Sequence, residues 1–464
     1  MHTRDNLKRY QQKAVEFLKQ HPGAALWLDM GLGKTVITLT ALADLKDEGK
    51  LPPVLLLSTI RIVQSVWRQE AAKWAHTRGL TFSLVHGSAK ERRAALARKA
   101  DVYLMNFENV KWLHEDVLDA DKPAFGALVV DESSRVKAHN TKRFKALRRM
   151  LPPMTLRWLL TGTPAPNSLL DLWSQMFLLD EGAVLGRTFY HYRQRFFESK
   201  DWMGYSYGPR PNAERQIYRA VAPMVMRLDA ADFLTMPKVQ FNTIRLSLPA
   251  PARAQYEELE RRMFLDLDNM PVEAFNAAAL TTKCWQFANG AVYGSNAAAP
   301  GAARDWRPVH DGKLDALDEV IEEAQGKPVL VAYWFKSDLE RLRQRLGAAV
   351  PVLQGKHADR MVDTWNAGGY PVMLAHPQTA AHGLNLQAGG HIMFLFSQMW
   401  SLELHLQLIA RLARQGQKYP VMVHVPVVSN TVDDVIVEAI AAKQHSQGAL
   451  LHALRRYRDI KELL

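Results

Sequence analysis

The sequence predicts an α/β fold of two tandem units, each a parallel sheet flanked by helices. Short apolar runs recur at Leu26 to Leu28, Val54 to Leu57, Val102 to Met105, Leu128 to Val130 and Trp158 to Leu160, each bounded by turn residues. Helix-length amphipathic segments lie between them, the alternation that parallel strands with crossover helices require. A similar rhythm restarts at Val329 to Tyr333, Val372 to Ala375, Ile392 to Phe396 and Met422 to Val425.

The first unit is expected over residues 1–245, with a helical insertion at about 170–235, and the second over 250–464, with a helical segment at about 250–325. Pro249-Ala-Pro251 reads as the linker between them, and Asn296 to Ala303, rich in Ala, as a surface loop. The end, Leu451 to Leu464, carries Arg455, Arg456 and Arg458 and is expected to be a solvated helix packing on the second unit.

Composition sets limits on function. With 464 residues and 48% hydrophobic content the chain can bury a sizeable core, and its single cysteine, Cys284, excludes an intramolecular disulfide and a Cys-rich zinc site. Lys and Arg exceed Asp and Glu by 59 to 47, a formal charge of +12, which favours a polyanionic partner. The N-terminus lacks the unbroken apolar stretch of a signal peptide. Thr364 to Leu402 contains no Asp, Glu, Lys or Arg, but its Pro371, Pro377, Asn and Gln residues suit two buried strands and their loops better than a membrane span.

Chemistry first appears after the first apolar run, at Asp29-Met-Gly-Leu-Gly-Lys-Thr35, which leads into a helix-like segment. A strand, a Gly-rich turn and a helix start form a phosphate cradle, because Gly31 and Gly33 let main-chain N–H groups approach phosphate oxygens and the helix N-terminus adds its positive dipole end. Met30 and Leu32 belong to this loop; Lys34 would neutralise the β- and γ-phosphates and Thr35 would offer a hydroxyl to magnesium. Leu28 stands where the general phosphate-loop pattern has its first glycine.

A second motif, Leu128-Val-Val-Asp-Glu-Ser-Ser134, ends a strand in two acids. Such a pair holds a divalent cation and activates an attacking water, with Asp131 as the expected magnesium partner and Glu132 as the base.

With both motifs in place the chain resembles the Swi/Snf-type ATPases of helicase superfamily two from about residue 7 to 443. The resemblance implies two RecA-like lobes, use of ATP and Mg2+, and double-stranded DNA as partner. Leu7-Lys-Arg-Tyr-Gln11 is similar to the family's adenine-reading element, with Gln11 as the base contact. Thr161-Gly-Thr-Pro164, 30 residues beyond Asp131, looks like the third motif, which links the ATP site to DNA through Thr161 and Thr163. Arg227-Leu-Asp, with Leu234 to Lys238, resembles the stretch that precedes the second lobe. His382-Gly-Leu-Asn-Leu386 matches the fifth motif and Gln407-Leu-Ile-Ala-Arg-Leu-Ala-Arg-Gln-Gly-Gln417 the sixth. Their spacing predicts Gln407, Arg411 and Arg414 on neighbouring turns of one helix face, ended by Gly416. Gln407 is then a nucleotide contact and the two arginines catalytic. The family's DNA contacts, which follow strands, point to Ser58, Asn106 and Thr379, while Trp400 reads as a core aromatic.

Ser133 and Ser134 depart from the family pattern, which has Ala or Gly followed by His, so the side chain that relays the hydrolysis state to the third motif is shorter here. The resulting expectation is an ATP-dependent duplex-DNA translocase whose lobes share one ATP cleft, acting as a monomeric motor in a bacterial or phage-infected cytoplasm, without a membrane. A nuclease or a replication or recombination protein is the expected partner. The alternatives are a strand-separating helicase, for which no inserted hairpin is evident as a wedge, and a non-hydrolysing DNA-binding scaffold.

Overall fold

The computed structural model describes residues 1–117, 124–200, 207–234, 237–269, 274–294, 305–355, 358–380 and 384–462. Chain contacts divide it into two units: Met1–Leu234 with Lys443–Leu464, and Thr235–Ala442.

The first unit is built on β1 (Gly23–Leu28), β2 (Val54–Ser58), β3 (Phe82–Val85), β4 (Val102–Asn106), β5 (Ala127–Asp131) and β6 (Leu156–Thr161). A short antiparallel pair follows, β7 (Phe197–Ser199) with β8 (Tyr207–Pro209), and then β9 (Val225–Leu228). Seven strands form one parallel sheet in the order β3-β4-β2-β5-β6-β1-β9. Its central strands are apolar and buried almost throughout, as expected when helices cover both faces. The order places β6 between β5 and β1, so the turn after β6 lies between the acids that end β5 and the loop that follows β1.

The second unit holds β10 (Val239–Leu246), the antiparallel pair β11 (Ala291–Tyr293) and β12 (Trp306–Pro308), then β13 (Val329–Ala332), β14 (Val352–Leu353), β15 (Val372–Ala375), β16 (Ile392–Leu395) and β17 (Val421–Val428). Six of these form a second parallel sheet, β10-β17-β16-β13-β15-β14. Inside this unit the Lys313 ammonium and Asp433 carboxylate pair at 2.8 Å with no exposed side-chain surface, and Lys313 also donates to Asn289 Oδ1 at 2.8 Å.

The strand rhythm read from the sequence matches both sheets, but four strands went unread. β3, β9 and β10 alternate buried with exposed or half-exposed residues or lie largely exposed, and β14 has two residues; none presents a continuous apolar run. Because β10 pairs along its whole length with β17, Pro249-Ala-Pro251 follows the first strand of the second sheet rather than preceding that sheet. The two antiparallel pairs correct the expectation that no hairpin is inserted; their strands of three residues are too short for a periodicity signal. Thr364 to Leu402 does supply two buried strands, β15 and β16. Trp400 packs against a core that includes Trp285, Leu402 and Ile436. Among the described residues no helix is long and apolar enough to cross a membrane. The last helix runs unbroken over Val432–Glu462, with no proline to stop it, and from Lys443 onward it groups with the first unit, not the second as expected. Asn296 to Ala303 lies outside the described residues.

Candidate nucleotide site and its relatives

At the carboxyl ends of the first sheet's strands, where α/β sheets bind ligands, the predicted residues collect. Asp29 to Gly33 leave β1, and the helix Lys34–Asp47 begins at once with Gly33 as its N-cap. Gly31 and Gly33 adopt φ of 87° and 83°, the left-handed region that glycine enters without steric cost. A Cβ on Gly33 would lie 2.5 Å from Gln11 Nε2. Gln11 is therefore seated on the loop: its Nε2 donates to the Leu32 carbonyl at 3.2 Å and its Oε1 accepts from the Lys8 N–H at 2.9 Å. Leu32 is buried, while Met30 and Thr35 are partly exposed.

Lys34 Nζ donates to the Leu28 carbonyl at 2.7 Å and to that of Asp29 at 3.4 Å, so the ammonium folds back over its own loop. Burial lowers its pKa, while the charges of Glu132, Asp131 and Asp29 oppose that shift. An anion beside such an ammonium is favoured, because it restores the partner that dehydration removed. Gly162 is equally tight: a Cβ there would stand 3.3 Å from the Leu28 carbonyl oxygen and 4.0 Å from Lys34 Nζ. The turn after β6 thus touches the phosphate loop.

Asp131 ends β5. Its Oδ2 accepts from Ser58 Oγ at 3.1 Å and from Trp67 Nε1 at 3.2 Å. Burial, and next the charge of Glu132, push its pKa up to about 6, against Lys34, Ser58 and Trp67, which pull it down. Glu132 has φ of 70°, a left-handed conformation that costs a non-glycine residue about 1–3 kcal/mol and persists only where surroundings enforce it. Here the Glu132 N–H donates to the Leu160 carbonyl at 2.8 Å. Its Oε1 accepts from Thr161 Oγ1 at 2.7 Å and from Ser134 Oγ at 3.3 Å. Thr161 Oγ1 in turn accepts from the Thr163 N–H at 3.0 Å.

In the second unit the helix Leu402–Leu412 carries Gln407 and Arg411. Gln407 is buried, with Nε2 donating to Glu403 Oε1 at 3.3 Å. Arg411 is buried too; its Nε donates to the Gln407 carbonyl and its Nη1 to the Leu384 carbonyl, both at 3.1 Å. Arg414 corrects the expectation of one helix face. The Arg411 carbonyl accepts from the Leu386 N–H at 3.3 Å, and the chain leaves the helix at Ala413, with ψ of 74°. Arg414 therefore lies beyond the helix end, where its guanidinium donates to the Asn385 side chain. The arginines and Leu384 to Leu386 form one assembly; His382 and Gly383 lie outside the described residues.

The expected DNA contacts separate. Thr379 is partly exposed on the short helix Pro377–Ala380 that follows β15. Asn106 ends β4 and is nearly buried, its amide donating to Glu108 Oε2 at 2.7 Å. Ser58 is fully buried with its hydroxyl committed to Asp131, so the expectation of a DNA contact there is corrected: the residue supports the acid instead.

Sequence reasoning missed Trp67, Arg227 as an anchor, and Gln175. Arg227 Nη1 donates to the Trp27 carbonyl at 2.9 Å and to Asp29 Oδ1 at 3.0 Å, fastening the start of the phosphate loop to β9. For Arg227 the signal available was its place in the stretch that resembles the one preceding the second lobe, since β9 itself has no apolar run. Trp67 and Gln175 offered none, because their partners are distant in sequence. Among the described residues no three or more His, Cys, Asp or Glu side chains are grouped to hold a metal. The Asp131 carboxylate, held by Ser58 and Trp67, is the kind of oxygen donor that suits a magnesium ion bound largely through phosphate oxygens and water.

Family comparison agrees with this geometry. A model of the SNF2-related domain matches residues 10–286 and one of the helicase conserved C-terminal domain matches 312–416. A phage protein, "Putative protein p41" of Acyrthosiphon pisum secondary endosymbiont phage 1, is 39% identical over 96% of this chain and 98% of its own length. The "Putative ATP-dependent helicase/translocase YwqA" of Bacillus subtilis is 24% identical over 94% of this chain, which spans 47% of that protein. The solved "Sulfolobus solfataricus SWI2/SNF2 ATPase core in complex with dsDNA" is similar at 22% identity and a TM-score of 0.45, covering 96% of this chain and 94% of that one. With a phosphate loop, an Asp-Glu pair and a Thr-Gly-Thr-Pro turn on neighbouring strand ends, and with family models matching both halves, the chain belongs to the SNF2-related, helicase-like ATPases.

Proposed function

We propose that this ATPase is a translocase on double-stranded DNA. The observation that carries the reading is the bond from Thr161 to Glu132, which joins the hydrolytic carboxylate to the turn that the family resemblance assigns to DNA coupling. Lys34 and the N–H groups of the loop hold the nucleotide phosphates, with Gln11 on the base. Glu132 takes the proton of the attacking water while Thr161 and Ser134 orient its carboxylate. Magnesium, held by Thr35 and Asp131, would supply charge neutralisation on the phosphates. Arg411 and Arg414 serve the same nucleotide during turnover, and alternating affinity of the two units for the DNA backbone moves the protein along the duplex. Phosphate contacts carry no base sequence, so the motor is sequence-tolerant.

The net charge of +12 supports an electrostatic grip. Log affinity for a duplex oligonucleotide against log salt is expected to fall with a slope of about −0.9 per phosphate neutralised. A flat plot, or turnover that duplex DNA does not raise, would remove the reading. Strand separation is the second reading, favoured by the two short antiparallel pairs; displacement of a third strand from a triplex without unwinding of a forked duplex selects translocation alone. We infer a monomeric motor in a bacterial or phage-infected cytoplasm, with a nuclease or a replication or recombination protein as partner class, a setting that the 39% identical phage protein supports.

A further inference from the structure

Gln175 sits in the middle of the helix Leu172–Asp180, whose residues are buried from Leu172 to Leu179. Trp173, Met176 and Phe177 around it belong to the first unit's hydrophobic core. Packing alone calls for an apolar side chain here, since a primary amide in a core is unfavourable unless it is fully bonded. The amide is bonded at both ends. Its Nε2 donates to the Pro164 carbonyl at 2.6 Å and to the Asp171 carbonyl at 3.0 Å, and its Oε1 accepts from Ser133 Oγ at 2.7 Å. Chemistry fixes this orientation, because two carbonyl oxygens can only accept and so must face the NH2 group. The Ser133 hydroxyl is then the donor.

The two ends of the amide meet two different segments. Ser133 directly follows Glu132, at the end of β5, and Pro164 closes the Thr161–Pro164 turn at the end of β6. Pro164 has no N–H, so its carbonyl is the one main-chain hydrogen-bonding group by which it can be held. Ser133 and Gln175 are 0% and 1% exposed, which keeps competing water away from the link. Thr161 bonds the Glu132 carboxylate itself, whereas Gln175 holds the main chain on either side of that contact. A left-handed Glu132 needs such support, because its neighbour's position decides where the carboxylate points.

We propose that Gln175 is a positioning residue for ATP hydrolysis: by clamping Ser133 to Pro164 it sets Glu132 relative to the Thr-Gly-Thr-Pro turn. Transmission of a DNA-induced movement of the turn through this clamp rests on the duplex-motor reading above.

The test uses the full chain and measures kcat and KM for ATP with and without a duplex oligonucleotide, well below the thermal midpoint. Gln175→Met keeps the volume and removes both polar ends; Ser133→Ala removes one hydroxyl. In each variant kcat is expected to fall about tenfold or more, as when a reacting group is displaced without being deleted, while KM stays within about twofold. The double variant should be no slower than the slower single one, because both substitutions break one link. Unchanged kcat in folded Gln175→Met, or losses that add in the double variant, would overturn the proposal. Should Gln175→Met not fold, Ser133→Ala decides on the same readout. A wild-type protein that duplex DNA does not stimulate defeats the duplex-motor reading instead, and the positioning role is then decided on the basal kcat.

Discussion

Thr161 donates its hydroxyl hydrogen to Glu132 Oε1 at 2.7 Å while accepting the N–H of Thr163 at 3.0 Å, so one hydroxyl connects the backbone of a turn to the carboxylate proposed as the base of hydrolysis. Glu132→Gln keeps the shape and the acceptor oxygen but loses the basicity. Nucleotide binding should be retained and turnover should drop about a hundredfold or more, the scale for loss of one transition-state group. Thr161→Val removes the orienting bond, together with the one from the Thr163 N–H, but leaves the carboxylate in place and should slow turnover less. Single-turnover hydrolysis beside equilibrium nucleotide binding checks both, and near wild-type hydrolysis by Glu132→Gln would end the assignment.

Asp131 gives a pH signature. Its pKa is raised to about 6 by burial and by Glu132, so the carboxyl is protonated below that pH and ionised above it. For an acid raised in the folded state, stability is fully present below the ordinary value of 3.8 and is lost as pH rises through about 6. Activity runs the other way if Asp131 is the magnesium partner proposed above, since that role needs the ionised carboxylate. The free-enzyme profile of kcat/KM for ATP should fall on the acid side with an apparent pKa of about 6. Trp67 donates to Asp131 and pulls that pKa down, so Trp67→Phe should move the acid limb to higher pH. A limb that stays in place or moves to lower pH contradicts this account.

Arg227 is predicted to govern nucleotide binding more than chemistry. Its guanidinium pairs with Asp29 at 3.0 Å and also with Asp229, while Asp29 Oδ2 accepts the Ala230 N–H at 3.0 Å. Removing the fork frees the first residue of the phosphate loop at a cost of about 1–3 kcal/mol, the range for charge-assisted bonds at a partly exposed carboxylate. Arg227→Ala should raise KM for ATP several-fold with a smaller change in kcat, and saturating nucleotide should recover part of the lost thermal stability. A lysine cannot reproduce the planar fork, so Arg227→Lys should restore little. Steady-state kinetics with an unaltered KM would show that the loop holds itself.

Much of this site was legible because its chemistry is local in sequence. A Gly-rich turn after an apolar run, or two acids at the end of one, signals its role through close neighbours in sequence, and Lys34 opens the helix after β1 while Asp131 and Glu132 stand at the end of β5, where that reading put them. What stayed hidden joins segments far apart. Gln175 reaches Ser133 across 42 positions and Trp67 reaches Asp131 across 64, and only the sheet order that sets β5 between β2 and β6 brings such pairs together. Edge strands such as β10 escaped for a different reason. With most of its residues exposed, β10 has no apolar run, and pairing to β17 rather than composition makes it a strand.

The departure of Arg414 from its helix sets up the most discriminating experiment. Arg411 is buried among carbonyl oxygens, those of Gln407 and Leu384, and its own carbonyl accepts the Leu386 N–H. Its removal takes the side-chain donor from the Leu384 carbonyl, at about 1–3 kcal/mol, and disturbs Leu384 to Leu386 at the same time. Arg411→Ala should therefore lose thermal stability together with turnover. Arg414 stands past the helix end, partly exposed, so Arg414→Ala should change stability by under about 0.5 kcal/mol. If Arg414 stabilises charge on the transferring phosphoryl group, that same variant should lose about a thousandfold in DNA-stimulated turnover while still binding nucleotide and DNA, since an arginine acting in the transition state contributes little to ground-state binding. Thermal melts paired with ATPase rates separate the two residues. A folded Arg414→Ala protein with unchanged DNA-stimulated turnover would leave Arg411 as the sole candidate of the pair and would overturn the finger role proposed for Arg414.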